Sequence, residues 1–160
     1  MTTPAYDVFI AAPMSALGEA GYAQGRASVL DIITQCSARG FGPIYFAGAE
    51  IGGTESFTDE AEALRRDLSA LKNAKLFVLI YPSKLVTSAL IEVGYALALK
   101  LPSLLLVRDR ADLPYLLNQA EKAGAGDLLP RLKIAPLGGA DESAAAIAAF
   151  RDELIGQGHG

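Results

Sequence analysis

Lys75-Leu-Phe-Val-Leu-Ile80 opens the stretch of sequence that decides the fold. It is followed by the polar loop Tyr81-Pro-Ser-Lys-Leu-Val-Thr87, by the apolar run Ser88-Ala-Leu-Ile-Glu-Val-Gly-Tyr-Ala-Leu-Ala-Leu-Lys100, and by Leu104-Leu-Leu-Val107. These patterns predict a buried strand, a loop, a helix that is apolar all round and a second buried strand. Glu92 is the only charged residue of that helix before Lys100. Because a buried carboxylate is costly unless something uses or satisfies it, Glu92 is the first candidate for chemistry.

The rest of the chain continues the alternation of strand and helix. The patterns predict strands at 6–11, 42–47 and 131–135, and helices at 19–39, 59–73, 114–122 and 141–155. Five strands alternating with helices predict an α/β fold, a three-layer sandwich with a mainly parallel five-stranded sheet of the Rossmann or flavodoxin-like kind. We expect residues 1–160 to form a single domain, with 156–160 as a disordered tail.

Composition and charge exclude several classes of function. The 160 residues carry a net charge of −4, and the lysines and arginines are scattered, which argues against a nucleic-acid partner. No apolar run approaches the ~18 residues of a membrane span, and the N-terminus does not resemble a secretion signal. The sequence therefore predicts a cytoplasmic protein with no membrane partner.

Few residues are available for nucleophilic or metal chemistry of the familiar kinds. The chain has one histidine, His159, and one cysteine, Cys36, which the helical pattern around it predicts to be a buried, inert thiol. Ser-His-Asp and Cys-His catalysis and a histidine-based metal site are therefore disfavoured. The chain also lacks a P-loop and a dinucleotide-binding glycine motif. We predict neither a metal nor a cofactor.

In parallel α/β sheets, ligands bind beyond the carboxyl ends of the strands. The loops at 12–17, 48–57 and 81–87 are the candidates, and the last of these leads directly into the helix of Glu92. Near the start of that helix the macrodipole favours a negative charge. The sequence therefore predicts a desolvated but ionised Glu92 at the rim of a pocket.

Asp67 is a second candidate carboxylate. On the helix that Asp59 opens, it borders an apolar stripe, and its neighbours along the helix face are the small residues Ala63 and Ala70. The pattern fits two interpretations of Asp67 equally well: an acid that reaches into a cleft, and a surface acid paired with an arginine. The apolar stripe itself, which we expect to be buried, consists of Phe57, Ala61, Leu64, Leu68 and Leu71.

These motifs resemble those of the nucleoside 2-deoxyribosyltransferase family. Val8-Phe-Ile-Ala-Ala-Pro-Met14 is similar to the family's first strand and loop, and Ile91-Glu-Val-Gly-Tyr-Ala96 is similar to its Glu-Ile-Gly-x-Ala signature. Asp67 stands about where the family places its second catalytic acid. The family commonly has Gly-Thr shortly before the glutamate, where this chain has Ser88-Ala89, so the base, the sugar and recognition of a 5′-phosphate stay open.

The resemblance implies cleavage or transfer at the N-glycosidic bond of a nucleoside or a nucleoside 5′-monophosphate. In this scheme Glu92 is the nucleophile that forms a glycosyl-enzyme ester, and Asp67 is a proton donor or a positioning group. The same resemblance implies a set of substrate-binding residues and a homodimer or larger homo-oligomer. The substrate-binding residues are Ala12, Pro13, Met14, Ser15, Tyr81 and Ser88.

Two other interpretations stay open at this stage. The segments at 6–10 and 80–88 also resemble a TIR domain, in which Glu92 would act on the nicotinamide N-glycosidic bond of NAD. A non-enzymatic TIR-like or flavodoxin-like interaction module is the third interpretation. In that case Glu92 would be a structural carboxylate beneath a closed surface.

For the expected homo-oligomer, the candidates for contact between subunits are Tyr95, Tyr115 and residues 113–119.

Overall fold

The structure is a computed structural model that describes residues 4–49 and 59–158. Within these ranges the chain forms five strands and four α-helices, with short 3₁₀ turns between them. In chain order these elements are β1 (Val8–Ala11), α1 (Gly18–Ala38), β2 (Ile44–Phe46), α2 (Glu60–Lys72), β3 (Phe77–Tyr81), α3 (Ala89–Ala98), β4 (Ser103–Val107), β5 (Leu132–Pro136) and α4 (Ala140–Gln157).

The strands form one sheet in the order β2-β1-β3-β4-β5, and every pairing between them is parallel. The predicted α/β class with its parallel five-stranded sheet is confirmed. The chain order reverses between β1 and β3, and at such a switch point the two flanking loops diverge and leave a crevice at the carboxyl edge. The fold therefore places the loop after β1 and the loop after β3 around one crevice.

Alternating side chains of the buried strands divide the core into two halves. On one face Val8 and Ile10 pack with α1 and α4, and Phe150 of α4 is fully buried there. On the other face Phe9 and Ala11 pack with α2 and α3. β3 and β4 are buried along their whole length, as expected for central strands of a parallel sheet that is covered on both sides.

The single cysteine belongs to the first half of the core. Cys36 is a buried free thiol on the inner face of α1, and burial raises its pKa to about 11. A thiol with such a pKa carries almost no thiolate at neutral pH, so it is unreactive. This agrees with the inert role predicted from the sequence.

Two segments differ from the pattern-based prediction. The helix expected at 114–122 is a series of turns, with a 3₁₀ turn only at Ala120–Ala123. The side-chain amide of Asn118 donates to the backbone carbonyl of Arg110 at 2.8 Å, and the Arg110 guanidinium donates to the backbone carbonyl of Asn118 at 3.0 Å. These bonds tie the segment to the preceding turn in place of a regular helix. At the other end, α4 continues through residues 156 and 157, which were assigned to the tail, and residues 159–160 lie outside the described ranges.

No helix in the described part of the chain has both the length and the apolar character needed to cross a lipid bilayer.

Candidate active site

A cavity of about 410 Å³ lies at the carboxyl edge of the sheet, beside the switch point. It is bounded by the loop after β1, by the first half of α2 and by the start of α3. Its lining residues are Ala12, Met14, Ser15, Ala47, Asp59, Glu60, Glu62, Ala63, Leu64, Arg66, Asp67, Leu68, Thr87, Ser88, Ala89, Ile91 and Glu92. Both candidate carboxylates of the sequence analysis thus border the same cavity.

Glu92 is positioned by the first turn of α3. The hydroxyl of Thr87 accepts a hydrogen bond from the amide of Ala89 at 3.3 Å, and the amide of Glu92 donates to the carbonyl of Ser88 at 3.4 Å. Val93, the next residue, is buried against the sheet. Because successive helix residues point about 100° apart, burying Val93 leaves the Glu92 side chain at the side of the helix that borders the cavity.

Asp67 reaches the cavity from the middle of α2. That helix begins at a capped end, where the Asp59 carboxylate accepts hydrogen bonds from the amides of Ala61 and Glu62 at 2.9 and 3.2 Å. The Asp67 side chain is only 17% exposed, and its contact with Arg66 is a long one, 3.9 Å from Nε to Oδ1. Of the two interpretations left open by the sequence, the structure therefore shows the acid that faces a cleft.

The two carboxyl groups contact each other. A hydrogen bond joins the side chains of Asp67 and Glu92, and burial together with the negative charge of Asp67 raises the pKa of Glu92 to about 8. At neutral pH the pair therefore retains a proton, as expected when two carboxyls share one site. The expectation of an ionised Glu92 is wrong, because desolvation and the neighbouring charge outweigh the helix dipole.

The other predicted site residues are divided between the cavity and its surroundings. Ala12, Met14, Ser15 and Ser88 line the cavity, whereas Pro13 and Tyr81 are not among the lining residues. Tyr81 is buried, at 1% exposure.

The Tyr81 hydroxyl closes the loop that leads into α3. It donates to the carbonyl of Leu85 at 2.8 Å and accepts from the amide of Leu85 at 3.0 Å. These two bonds fix the loop immediately before the turn that positions Glu92. Tyr81 therefore supports the site through the backbone.

Some contributors to the site carry little signal in the sequence. The hydroxyl of Tyr45 on β2 donates to Asp67 Oδ1 at 2.6 Å, a pairing between distant residues that no local pattern predicts. Leu64 was expected to be buried in the stripe of α2, but it is 52% exposed at the cavity wall. That expectation is wrong, because this turn of α2 faces the cavity and not the core. Phe57 of the same stripe lies outside the described residues.

The cavity is acidic. Its lining side chains include five carboxyl groups and one guanidinium, that of Arg66. Nε of Arg66 donates to the Tyr45 hydroxyl at 3.3 Å. Among the described residues, no group of three or more histidine, cysteine, aspartate or glutamate side chains is arranged to hold a metal ion. The acidic lining therefore suits proton transfer and recognition of a neutral or cationic group.

The similarity of this chain to known proteins lies in its structure. The structure of a Clostridium botulinum CMP N-glycosidase, BcmB, superposes with a TM-score of 0.62 and 17% sequence identity, over 89% of this chain and 98% of that chain. The two chains share a fold. No sequence profile of a protein family matches this chain, and no curated protein matches it either.

Proposed function

We propose that this protein cleaves the N-glycosidic bond of a nucleoside or a nucleoside 5′-monophosphate through a covalent glycosyl-Glu92 intermediate. The observation that carries the proposal is the hydrogen-bonded pair of Asp67 and Glu92 lining a cavity at the switch point of the sheet. A pair of neighbouring carboxyl groups, one of them with a strongly raised pKa, is the usual equipment for attacking and protonating a glycoside.

The first half-reaction uses the single proton that the pair retains. Transfer of this proton from Glu92 to Asp67 across their hydrogen bond frees Glu92 as the nucleophile and makes Asp67 the acid. A Glu92 oxygen then bonds to C1′ of the sugar through an oxocarbenium-like transition state. The C1′–N bond breaks, its electron pair leaves with the base, and the base takes the proton from Asp67.

The second half-reaction releases the sugar. The Asp67 carboxylate, now unprotonated, removes a proton from water as the water oxygen attacks C1′. The ester bond breaks and Glu92 leaves as a carboxylate. A second base in place of water would give transfer, so hydrolysis and transfer differ only in the acceptor.

Three further features support the proposal. The resemblance to the nucleoside 2-deoxyribosyltransferase family assigns the nucleophile and the second acid to the same two residues that the structure brings into contact. The protein of similar fold is named as a CMP N-glycosidase. In addition, Glu92 borders a cavity, whereas the non-enzymatic alternative requires it beneath a closed surface.

The deciding experiment exposes the purified protein to a panel of nucleosides, nucleoside 5′-monophosphates and NAD, with chromatographic detection of the free base. We expect base release from at least one nucleoside or monophosphate, and none from the Glu92→Gln variant. Release of nicotinamide from NAD alone would select the TIR-like alternative. No release from any compound would overturn the proposal.

We also propose that the protein self-associates through the outer face of α3. Ile91, Tyr95 and Leu99 recur at every fourth position of that helix, and they are 57%, 45% and 42% exposed. Such a stripe of large apolar side chains favours burial against a partner. Ile91 also lines the cavity, so a second subunit on this stripe would lie at the cavity mouth.

Of the other candidates for contact between subunits, Tyr115 and Leu116 are almost fully exposed and Leu113 is buried within its own chain.

A further inference from the structure

We infer that Tyr45 is a positioning residue for Asp67, and that its hydroxyl fixes which Asp67 oxygen faces Glu92. This inference rests on the proposed function, because it assigns Tyr45 a part in the same reaction. It concerns a residue on the edge strand β2, outside the helices that carry the two acids.

The hydrogen bond between Tyr45 and Asp67 restrains the Asp67 carboxyl group. The Tyr45 hydroxyl donates to Asp67 Oδ1 at 2.6 Å, a short distance that is typical of an O–H donor on a carboxylate. With Oδ1 occupied in this way, the second oxygen of Asp67 is the one left for Glu92 and for a departing base. A carboxyl group held at one oxygen cannot rotate freely, so the second oxygen of Asp67 keeps one direction, toward Glu92.

The ring of Tyr45 holds this hydroxyl in place. The Tyr45 ring stacks on Phe9 with centroids 5.0 Å apart, and Tyr6 meets it edge-on at 5.4 Å. Phe9 is buried in the central part of the sheet, so the tyrosine is anchored to rigid structure on two sides. Rigid anchoring is what a positioning group requires, because small displacements of reacting groups cost large factors in rate.

The groups around the Tyr45 hydroxyl favour its role as a donor. The Tyr45 hydroxyl also accepts a hydrogen bond from Nε of Arg66 at 3.3 Å, which strengthens it as a donor toward Asp67. Among the described residues, the charged and titratable groups around the pair are Tyr45 on β2, Arg66 and Glu62 on α2, and Asp59 and Glu60 at the start of that helix. Desolvation and the hydrogen bond to Asp67 raise the pKa of Tyr45, so this hydroxyl keeps its proton and remains a donor toward Asp67.

The test is the Tyr45→Phe variant, which removes the hydroxyl and keeps the ring that packs on Phe9. We expect kcat for base release to fall about tenfold or more with KM changed less than threefold, since the loss affects alignment and not binding. We also expect the acid limb of the pH–rate profile to move to higher pH, because the donor to the ionised form of Asp67 is gone.

A second measurement does not depend on turnover. The Asp67 carboxyl carbon, observed by ¹³C NMR at one fixed pH, should change its chemical shift in Tyr45→Phe relative to the wild type, because the hydrogen bond at Oδ1 is gone. The control is Thr34→Val, which removes a hydroxyl that donates to the carbonyl of Leu30 one turn earlier on α1, and should change neither readout.

The outcomes separate the two proposals. Base release by the wild type with an unchanged pH profile and an unchanged Asp67 carboxyl resonance in Tyr45→Phe would overturn the positioning role and leave the proposed function intact. A shifted Asp67 carboxyl resonance in a protein that releases no base would overturn the proposed function and support the contact between Tyr45 and Asp67.

Discussion

The carboxyl groups of Asp67 on α2 and Glu92 on α3 hydrogen-bond to each other, although 24 residues of sequence, a strand and a loop separate them. The contact exists because α2 and α3 pack side by side on one face of the sheet and both border the crevice between β1 and β3. It gives the pair one proton to share near neutral pH, and the following predictions depend on it.

The Asp67→Asn variant tests the acid. An amide of the same shape keeps the side chain in place but cannot pass a proton to the departing base. We expect kcat for base release to fall by about 10²–10⁴, the usual contribution of a general acid. For substrates whose bases leave without protonation, kcat should fall less. A uniform fall in kcat of under threefold across the panel of substrates would contradict the role of Asp67 as the acid.

The Glu92→Gln variant tests the raised pKa through stability. The pKa of Glu92 is about 8 in the fold, against 4.5 for an unperturbed glutamate. The folded state therefore binds the proton more tightly, and the free energy of unfolding falls as pH rises from about 4.5 through about 8.

Glutamine carries no charge, so the free energy of unfolding of the variant does not fall in this way as the pH rises. We expect the Tm of Glu92→Gln to exceed that of the wild type by about 4 °C or more at pH 9, with a smaller difference at pH 5. Differential scanning calorimetry across this range measures the difference. A constant difference at every pH would show that Glu92 titrates normally.

The charge of the cavity predicts how a 5′-phosphate is received. Within the described ranges, five carboxyl groups and one arginine side chain line the cavity, so a phosphate dianion is repelled more than a neutral hydroxymethyl group. For a given base we expect kcat/KM for the nucleoside to exceed that for the 5′-monophosphate about tenfold or more at low ionic strength, and added salt should narrow the ratio.

A matched pair of variants checks the cause of this selectivity. Glu60→Gln removes one negative charge from the cavity wall and should lower the ratio of kcat/KM for the nucleoside to kcat/KM for the monophosphate. Glu142→Gln on α4 lies outside the lining and should leave this ratio unchanged. A wild type that prefers the monophosphate would contradict the electrostatic argument.

The stripe on α3 predicts the assembly. We expect sedimentation velocity to show a dimer or a larger species for the wild type, and a monomer for Tyr95→Lys, because a lysine in the middle of the stripe places a charge in the interface. Leu128→Lys is the control, since Leu128 is 88% exposed and lies off α3. A monomeric wild type at micromolar concentration would exclude this interface.

Much of the fold is predictable from the sequence because its causes are local. The apolar runs at β3 and β4 are too short for helices and too apolar for surface strands, and Asp59 with Glu62 marks the start of α2. Such signals depend on neighbours in the chain, so they need no knowledge of the tertiary structure. The parallel sheet and the placement of its ligand crevice follow from them.

The details of the site depend on contacts between distant elements, and the sequence does not contain them in readable form. Tyr45 meets Asp67 only because β2 lies beside β1 and beneath α2. The charge state of Glu92 likewise depends on how close Asp67 lies across two helices. The helix dipole is visible in the sequence, whereas the desolvation that outweighs it is not.

The most direct measurement is mass spectrometry of the protein after incubation with a 2′-fluorinated nucleoside, which slows hydrolysis of a glycosyl ester more than its formation. We predict a mass increase equal to the fluorinated sugar on the peptide that contains Glu92, and no adduct in Glu92→Gln. Full release of base by Glu92→Gln, or a sugar adduct on a different residue, would contradict the role of Glu92 as the nucleophile.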